Sequence, residues 1–195
     1  HPRSATGYMT RAFLKALHKE EELAAIEQAA GALDVDATEE EGKQLAGQLK
    51  GFFPLIYASR QNEAIAYNWK VRFNETGKVA AFANVFPELT HNETMGFDFT
   101  RVPGTLTQPF AIIMLRDADD YPRNRLRMEL VREMYRERNM PVLFYELTGG
   151  SVWEKIFRSL MVCDWAAYYT GRAYGIDTGE QTVEEFKKRM AEQRV

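Results

Sequence analysis

Cysteine is nearly absent: Cys163 is the one thiol in 195 residues. A single thiol forms neither an internal disulfide nor a cysteine-rich zinc site, so a disulfide-stapled scaffold is excluded and a reducing, cytoplasmic setting is expected. Histidine is also scarce, with three residues. His1, His18 and His91 show no ligand spacing of the HExxH kind, and neither a metal nor a cofactor is expected. There is no basic surplus, since 25 Lys and Arg stand against 28 Asp and Glu for a formal charge of −3. Nothing is left over to neutralise a phosphate backbone, and nucleic acid is not expected as a partner. No apolar run approaches the ~20 residues that a bilayer span requires, and the first residues lack the charged-then-apolar order of a signal peptide. Glycine-rich phosphate cradles are missing too. The turn after the first expected strand reads Tyr57-Ala58-Ser59-Arg60-Gln61, without the glycines of a P-loop or Rossmann turn. Ser59 at a helix amino terminus would hold an anion only weakly, and its simpler role is a helix cap.

What is present is a globular balance, 45% hydrophobic and 27% charged. At this length we expect a single domain over residues 1–195, with residues 1–50 a helical lead-in. The chain opens His1-Pro2-Arg3 without an initiator methionine, and we expect it to be a piece of something longer. Apolar residues Tyr8, Met9, Phe13, Leu14 and Leu17, then Leu23, Ile26 and Ala30, recur at three- and four-residue steps, which predicts two amphipathic helices. The capping-box pair Thr38 and Glu41 predicts the start of a third, running toward Lys50. The run 53–58 predicts a buried strand, 61–76 a helix closed by Gly77, and 79–85 a weaker strand. From Pro87 to Gln108 the pattern is loop or short helix. The clearest strand spans 110–115; a charged helix over 122–138 leads to a strand at 141–145. Ser151 with Glu154, and Thr182 with Glu185, are two more capping boxes, predicting a long apolar helix and a carboxy-terminal one. Strands alternating with helices call for a three-layer α-β-α sandwich on a mainly parallel sheet, preceded by amino-terminal helices.

Glu75 and His91 are the most suggestive acid and base, 16 positions apart. Glu75 falls near a helix end, and His91 in a polar turn, Thr90-His91-Asn92-Glu93. A histidine there exchanges protons near neutral pH. On local signal alone the ordinary readings are stronger, a turn-capping histidine and an exposed glutamate. The arginines at 123, 125, 127, 132, 136 and 138 alternate with Glu129, Glu133 and Glu137, as on a solvated helix face. Trp165, Tyr168 and Tyr169 fit core or interface packing better than a sugar-stacking platform. Asp164 is open to a functional reading or to a buried carboxylate with a local partner. Lys187 and Lys188 read as helix surface.

Taken in order, these segments resemble a known family, the carboxy-terminal sugar isomerase (SIS) domain of the bifunctional phosphoglucose/phosphomannose isomerases. The resemblance is carried by Pro2-Arg3-Ser4-Ala5 with Gly7-Tyr8, Pro54-Leu55-Ile56-Tyr57, Ala64-Ile65-Ala66-Tyr67-Asn68-Trp69-Lys70 and Asn74-Glu75. It continues through Phe86-Pro87-Glu88-Leu89 with His91-Asn92-Glu93, Leu115-Arg116-Asp117, Arg123 and Arg127-Met128. It closes with Asp164-Trp165, Tyr168-Tyr169, Tyr174-Gly175-Ile176-Asp177 and Phe186-Lys187. The resemblance implies a flavodoxin-like SIS fold and an enzyme that interconverts glucose 6-phosphate or mannose 6-phosphate with fructose 6-phosphate through a cis-enediol. It implies Glu75 as the base moving a proton between C1 and C2 and Arg3 as the cation beside the enediolate. It further implies a lysine at the ring oxygen, Lys187 with Lys188 as the alternative, and His91 as a ring-opening group contributed across a homodimer. Two departures bear on substrate range: Asn68 stands where relatives commonly have arginine, and Thr76-Gly77-Lys78 where many have Asn-Ala-Lys. Family members also carry an amino-terminal SIS domain that grips the sugar phosphate; it is absent from this sequence, so the isolated chain is expected to be inactive. The other readings are a non-catalytic SIS module that binds a sugar phosphate, and a purely structural dimerisation domain.

Overall fold

The computed structural model describes residues 2–98, 109–179 and 183–193, with the side chains of Pro2 and Arg3 outside that description. The order of elements is a 3-10 turn (Pro2–Ala5), α1 (Thr6–Ala16), α2 (Glu20–Ala32), α3 (Val35–Gln48), β1 (Phe53–Ser59), a second 3-10 turn (Arg60–Asn62), α4 (Glu63–Glu75) and β2 (Phe82–Phe86). There follow α5 (Leu89–Gly96), β3 (Phe110–Asp117), α6 (Pro122–Arg136), β4 (Val142–Leu147), α7 (Val152–Ala173) and α8 (Val183–Glu192). The strands form one parallel sheet in the order β2-β1-β3-β4.

Both faces of the sheet are covered, which is why β1 and β3 are continuous apolar runs and not alternating ones. Ile56, Ala58, Ala111, Ile113 and Leu115 point to a face packed by α3, α4 and α7, around Leu49, Trp69, Phe73 and Cys163. Leu55, Tyr57, Ile112 and Met114 point the other way, against Leu89 of α5 and Met128, Val131 and Tyr135 of α6. The expected α-β-α layering is thus present. Of the helices in residues 1–50, α3 packs within the layer on the α7 side, while α1 and α2 lie outside it and no residue of α1 is buried.

The tightest crossing is α3 on α7. A Cβ added at Gly42 would lie 2.4 Å from Trp165 Cβ and 2.7 Å from the Val162 carbonyl oxygen, so only glycine lets the two backbones approach this closely. Glu41, next to it, pairs with Arg158 of α7.

Several local expectations are corrected. Helix α3 starts at Val35, not at Thr38: the Asp34 carboxylate accepts from the Ala37 N–H at 2.9 Å and caps the helix one turn earlier. Thr38 is buried inside α3, its hydroxyl donating back to the Val35 carbonyl at 2.8 Å. Ser59 is not a side-chain cap for the following helix. The weaker strand begins at Phe82 because Lys78 adopts φ 55 and the Asn74 amide donates to the Val79 carbonyl at 3.0 Å, holding 76–81 as a loop. His91 lies in helix α5 and not in a turn. The Ser151–Glu154 pair does open α7, with Glu154 N–H donating to Ser151 Oγ at 3.1 Å, although the Glu154 carboxylate accepts from Gly150 and not from Ser151. Thr182 lies outside the described residues. On α6 Glu129 pairs with Arg132 at i, i+3 and with Arg116 of β3, in place of a regular i, i+4 alternation along the helix, and its outer surface also exposes Leu126, Leu130 and Met134.

Candidate functional site

In a parallel sheet each crossover helix runs back against its strands, so α4 delivers its last residue, Glu75, to the edge of the sheet where β2 begins. Glu75 is exposed there. The backbone around it is firmly held. The N–H groups of Thr76 and Gly77 donate to the Arg72 carbonyl at 2.8 and 3.2 Å. Gly77 packs so closely that a Cβ would stand 2.8 Å from the Phe73 carbonyl oxygen and 3.3 Å from that of Ala167. Close approach to α7, and not a left-handed turn, is the reason for glycine after this helix.

One turn before Glu75, the Arg72 side chain is 2% exposed, a cation on an otherwise apolar flank with Ile65, Trp69 and Phe73. Burying a guanidinium demands an anion and further acceptors. Arg72 Nε meets Asp164 Oδ1 at 2.8 Å, and Nη1 donates to Asn68 Oδ1 at 3.1 Å and to the Asn68 carbonyl at 3.3 Å. Asp164 therefore has its local partner. Its carboxylate is nevertheless 37% exposed, because it stands in the common wall of two adjoining clefts. The first, about 470 Å³, opens between α1, α2 and α7 and is largely apolar, lined by Tyr8, Ile26, Leu33 and Phe157 among others. The second, about 420 Å³, is also largely apolar, bounded by Val35, Met161, Trp165 and Tyr168 together with Ser4, Thr76, Asp164, Thr178 and Gly179.

That second cleft relates the sequence-predicted residues to one another. Ser4 adjoins Arg3, Thr76 adjoins Glu75, and Thr178-Gly179 belong to the segment before α8, which carries Lys187. The Arg3 side chain itself lies outside the described residues. Lys187 is exposed on α8 with its ammonium 2.7 Å from Glu184 Oε1, and Lys188 is exposed beside it.

His91 is not brought to this cleft. It is exposed in the first turn of α5, past the far end of β2, and five residues at ~3.3 Å each separate the two ends of that strand by about 16 Å. Helix α5 is clamped to the sheet by Glu93, whose carboxylate accepts from Tyr57 Oη of β1 and from Asn84 Nδ2 of β2. Burial, and then the Glu93 charge, push the Tyr57 hydroxyl far above its ordinary pKa, so it remains a donor. Neither Arg72 nor Glu93 stands out in the sequence as part of a site. The available signal for Arg72 was its place on an apolar helix flank, where a cation requires a buried partner.

At the opposite end of the sheet, between the carboxyl ends of the central strands β1 and β3, lies the point where successive connections leave in opposite directions, the usual ligand crevice of doubly wound sheets. Here it is occupied by the chain's own side chains. Asn62 Nδ2 donates to Asp120 Oδ1 at 3.2 Å and Asp117 Oδ2 at 3.3 Å, and Lys155 Nζ reaches Asp117 Oδ1 at 2.7 Å and Asp119 Oδ2 at 2.8 Å. Burial raises the Asp117 pKa, but the Lys155 ammonium and the Asp119 N–H outweigh it and hold the carboxyl below its usual range. Among the described residues no group of three or more His, Cys, Asp or Glu is disposed to hold a metal ion, and no helix is long and apolar enough to cross a membrane.

Comparison with known proteins agrees in one direction. Residues 38–190 match the model of the bacterial phospho-glucose isomerase C-terminal SIS domain. The bifunctional phosphoglucose/phosphomannose isomerase of Thermoplasma acidophilum is 30% identical over 198 residues, covering 97% of this chain and 59% of the relative. The protein of the same name from Aquifex aeolicus is 26% identical over 160 residues, covering 80% of this chain and 49% of the relative. The chain thus spans about half to three-fifths of the length of these curated relatives. Among solved structures, a glucose-6-phosphate isomerase like protein from Thermus thermophilus superposes with a TM-score of 0.71 at 18% identity, over 96% of this chain and 62% of that one. The C-terminal domain of glucosamine-fructose-6-phosphate aminotransferase from Francisella tularensis gives 0.51 at 15% identity, over 82% and 46%. These structural likenesses establish the fold.

Proposed function

Because the chain belongs to the family of bacterial phospho-glucose isomerase C-terminal SIS domains, we propose that it is the carboxy-terminal half of an aldose-ketose isomerase acting on glucose 6-phosphate or mannose 6-phosphate and fructose 6-phosphate. In this reading the open-chain aldose gives up its C2 proton to the Glu75 carboxylate. The resulting cis-enediolate is stabilised by the Arg3 guanidinium, and the proton returns at C1 to give the ketose. Abstraction beside a carbonyl needs a base at the carbon and a cation where negative charge gathers on oxygen, and Glu75 with Arg3 would supply that pair. Lys187 would assist at the ring oxygen, and His91 would open the ring of a sugar held by the neighbouring subunit of a homodimer.

The observation that carries this reading is the 420 Å³ cleft, whose wall includes the sequence neighbours of both Arg3 and Glu75 and the segment leading to α8. The separation of His91 from that cleft supports its acting across subunits and not within one chain. The phosphate grip would come from the amino-terminal portion that accounts for the remaining length of the relatives.

The test joins this chain to the amino-terminal half of the Thermoplasma acidophilum relative and follows exchange of solvent deuterium into fructose 6-phosphate. Glu75→Gln is expected to reduce exchange by roughly 10²-fold or more while sugar-phosphate binding persists. Exchange undiminished in Glu75→Gln would remove Glu75 as the base. The same assay on the 195-residue chain alone is expected to show little or no exchange.

A further inference from the structure

No residue of α8 is buried, although one side of the helix is apolar. Val183, Phe186 and Met190 form a single stripe, in which Phe186 is 63% and Met190 53% exposed. Glu184, Glu185, Lys188 and Arg189 cover the remaining surface, and all are exposed. A helix of 10 residues has little stability of its own in water. An apolar stripe on such a helix is what packs it onto another surface.

The 420 Å³ cleft offers such a surface close by. Met161, Trp165 and Tyr168 stand along one flank of α7 at i, i+4 and i+7, each half-buried, with Val35 of α3 in the same lining. This row and the α8 stripe each extend over about 10 Å of helix. The connection between the two helices is anchored in the cleft wall. After α7 the chain reverses at Gly175, with φ 70, and the Ile176 N–H donates to the Gly171 carbonyl at 3.0 Å. Thr178 packs so closely that a Cβ at Gly171 would lie 2.7 Å from its Cγ2, and Thr178 and Gly179 both line the cleft. From Gly179 to Val183 the chain reaches at most about 14 Å, so α8 starts within one short step of the wall. A helix that starts there and runs back along α7 makes an antiparallel helical hairpin.

We propose that the flank of α7 formed by Met161, Trp165 and Tyr168 is the seat of α8, whose stripe of Val183, Phe186 and Met190 packs onto the apolar part of the cleft. The polar part at Ser4 and Thr76, next to Arg3 and Glu75 in sequence, stays open to the sugar. At about 100° per residue, Lys187 lies roughly 70° from the centre of the stripe and Lys188 roughly 170°. Seating α8 therefore sets Lys187 at the rim of the cleft and turns Lys188 to solvent. What Lys187 does there rests on the sugar-phosphate isomerase reading above; within that reading the seat assigns the ring-oxygen role to Lys187 and not to Lys188. Phe186 and Met190 are then positioning residues for Lys187.

The experiment traps the seat with a disulfide in the 195-residue chain, keeping the buried Cys163. A disulfide needs Cβ atoms within about 4.5 Å, so Met161→Cys with Met190→Cys is expected to cross-link within one chain roughly tenfold faster than Met161→Cys with Lys188→Cys, on the opposite side of α8. Removing a buried Phe side chain costs roughly tenfold to a hundredfold in an equilibrium. Adding Phe186→Ser to the first pair should slow its cross-link by that factor. If the first pair fails to fold by circular dichroism, Tyr168→Cys with Val183→Cys takes its place. Equal rates for the 190 and 188 pairs overturn the proposal, as do cross-links that form only between chains or a rate indifferent to Phe186→Ser. In the two-half protein, Phe186→Ser is expected to lower kcat roughly tenfold with a smaller change in KM, the same split as Lys187→Met. Turnover unchanged in Phe186→Ser overturns the proposal and leaves the isomerase reading intact. A Phe186-dependent cross-link in a two-half protein without turnover sustains the seat and removes that reading.

Discussion

Two glycines in one helix make opposite predictions. Gly42 and Gly47 both lie in α3, and replacing either with alanine relieves the same intrinsic penalty, about 0.5–1 kcal/mol for glycine in a helix interior. At Gly47 nothing lies within 4 Å of an added Cβ, so only the gain remains. At Gly42 the added carbon would stand 2.4 Å from Trp165 Cβ, 2.7 Å from the Val162 carbonyl oxygen and 2.8 Å from the Ala166 nitrogen. Carbon atoms prefer ~3.5–4.0 Å, so the two helices must part by about 1 Å, and the obstructing atoms are backbone and Cβ, with no rotamer that could yield. Overpacking of this kind costs typically about 1–3 kcal/mol and sometimes more, which exceeds the propensity gain. Gly42→Ala is expected to be destabilised by about 2 kcal/mol, lowering the melting temperature by roughly 4–8 °C for a chain of this size. Gly47→Ala should rise by about 1–3 °C. Urea unfolding with matched thermal melts measures both. A Gly42→Ala protein as stable as the parent would refute the claim that this crossing is set by backbone contact. Because α7 also carries Trp165 and Asp164, the same variant should disturb the cleft, whereas Gly47→Ala should leave it alone.

Two further outcomes follow from ionisable groups. The Asp117 carboxyl has a folded pKa below its unfolded value, so it contributes stability that is present above about pH 4 and lost as pH falls through the folded value. Lys155→Met should therefore lower stability at pH 7 by about 1–3 kcal/mol, as for a charged hydrogen-bond partner left unpaired, and by much less near pH 3; an equal loss at both pH values in urea titrations would count against the pairing. Cys163 is fully buried, and burial pushes its thiol well above the ordinary range. Labelling by a thiol reagent at pH 8 should wait on unfolding and accelerate with urea, and fast labelling of the folded protein would contradict the packing around α7.

The legible part of the chain was the part governed by one-dimensional signals. Apolar runs at 53–58 and 110–115 announced strands buried on both faces, and the helices between them required parallel crossovers. Ser151 read correctly as the start of α7 because no better cap precedes it, whereas the pattern at Thr38 was overruled by Asp34 one turn earlier. The start of β2 was misplaced because the Asn74 side chain, rather than any strand partner, takes up the carbonyls of Val79 and Ala81. The position of Glu75 at a helix end was legible. The cleft beside it was not, since its walls come from residues 4, 35, 76, 161, 164, 165, 168, 178 and 179 and exist only once α7 has folded across α4. The Arg72–Asp164 pair belongs to the same class: two residues on different helices whose meeting no local pattern encodes.

The occupied crevice at the carboxyl ends of β1 and β3 has a consequence for the charge the molecule presents there. Three aspartates, 117, 119 and 120, share that end with two cations: Lys155, already engaged with two of them, and Arg125, which donates to the Ala118 carbonyl. A phosphate diffusing toward that end meets a field of its own sign, which slows encounter there and does so most at low ionic strength. The crevice that doubly wound sheets usually offer to a ligand is thereby filled by the protein's own carboxylates, and the opposite end of the sheet presents the exposed Glu75 at the close of its helix.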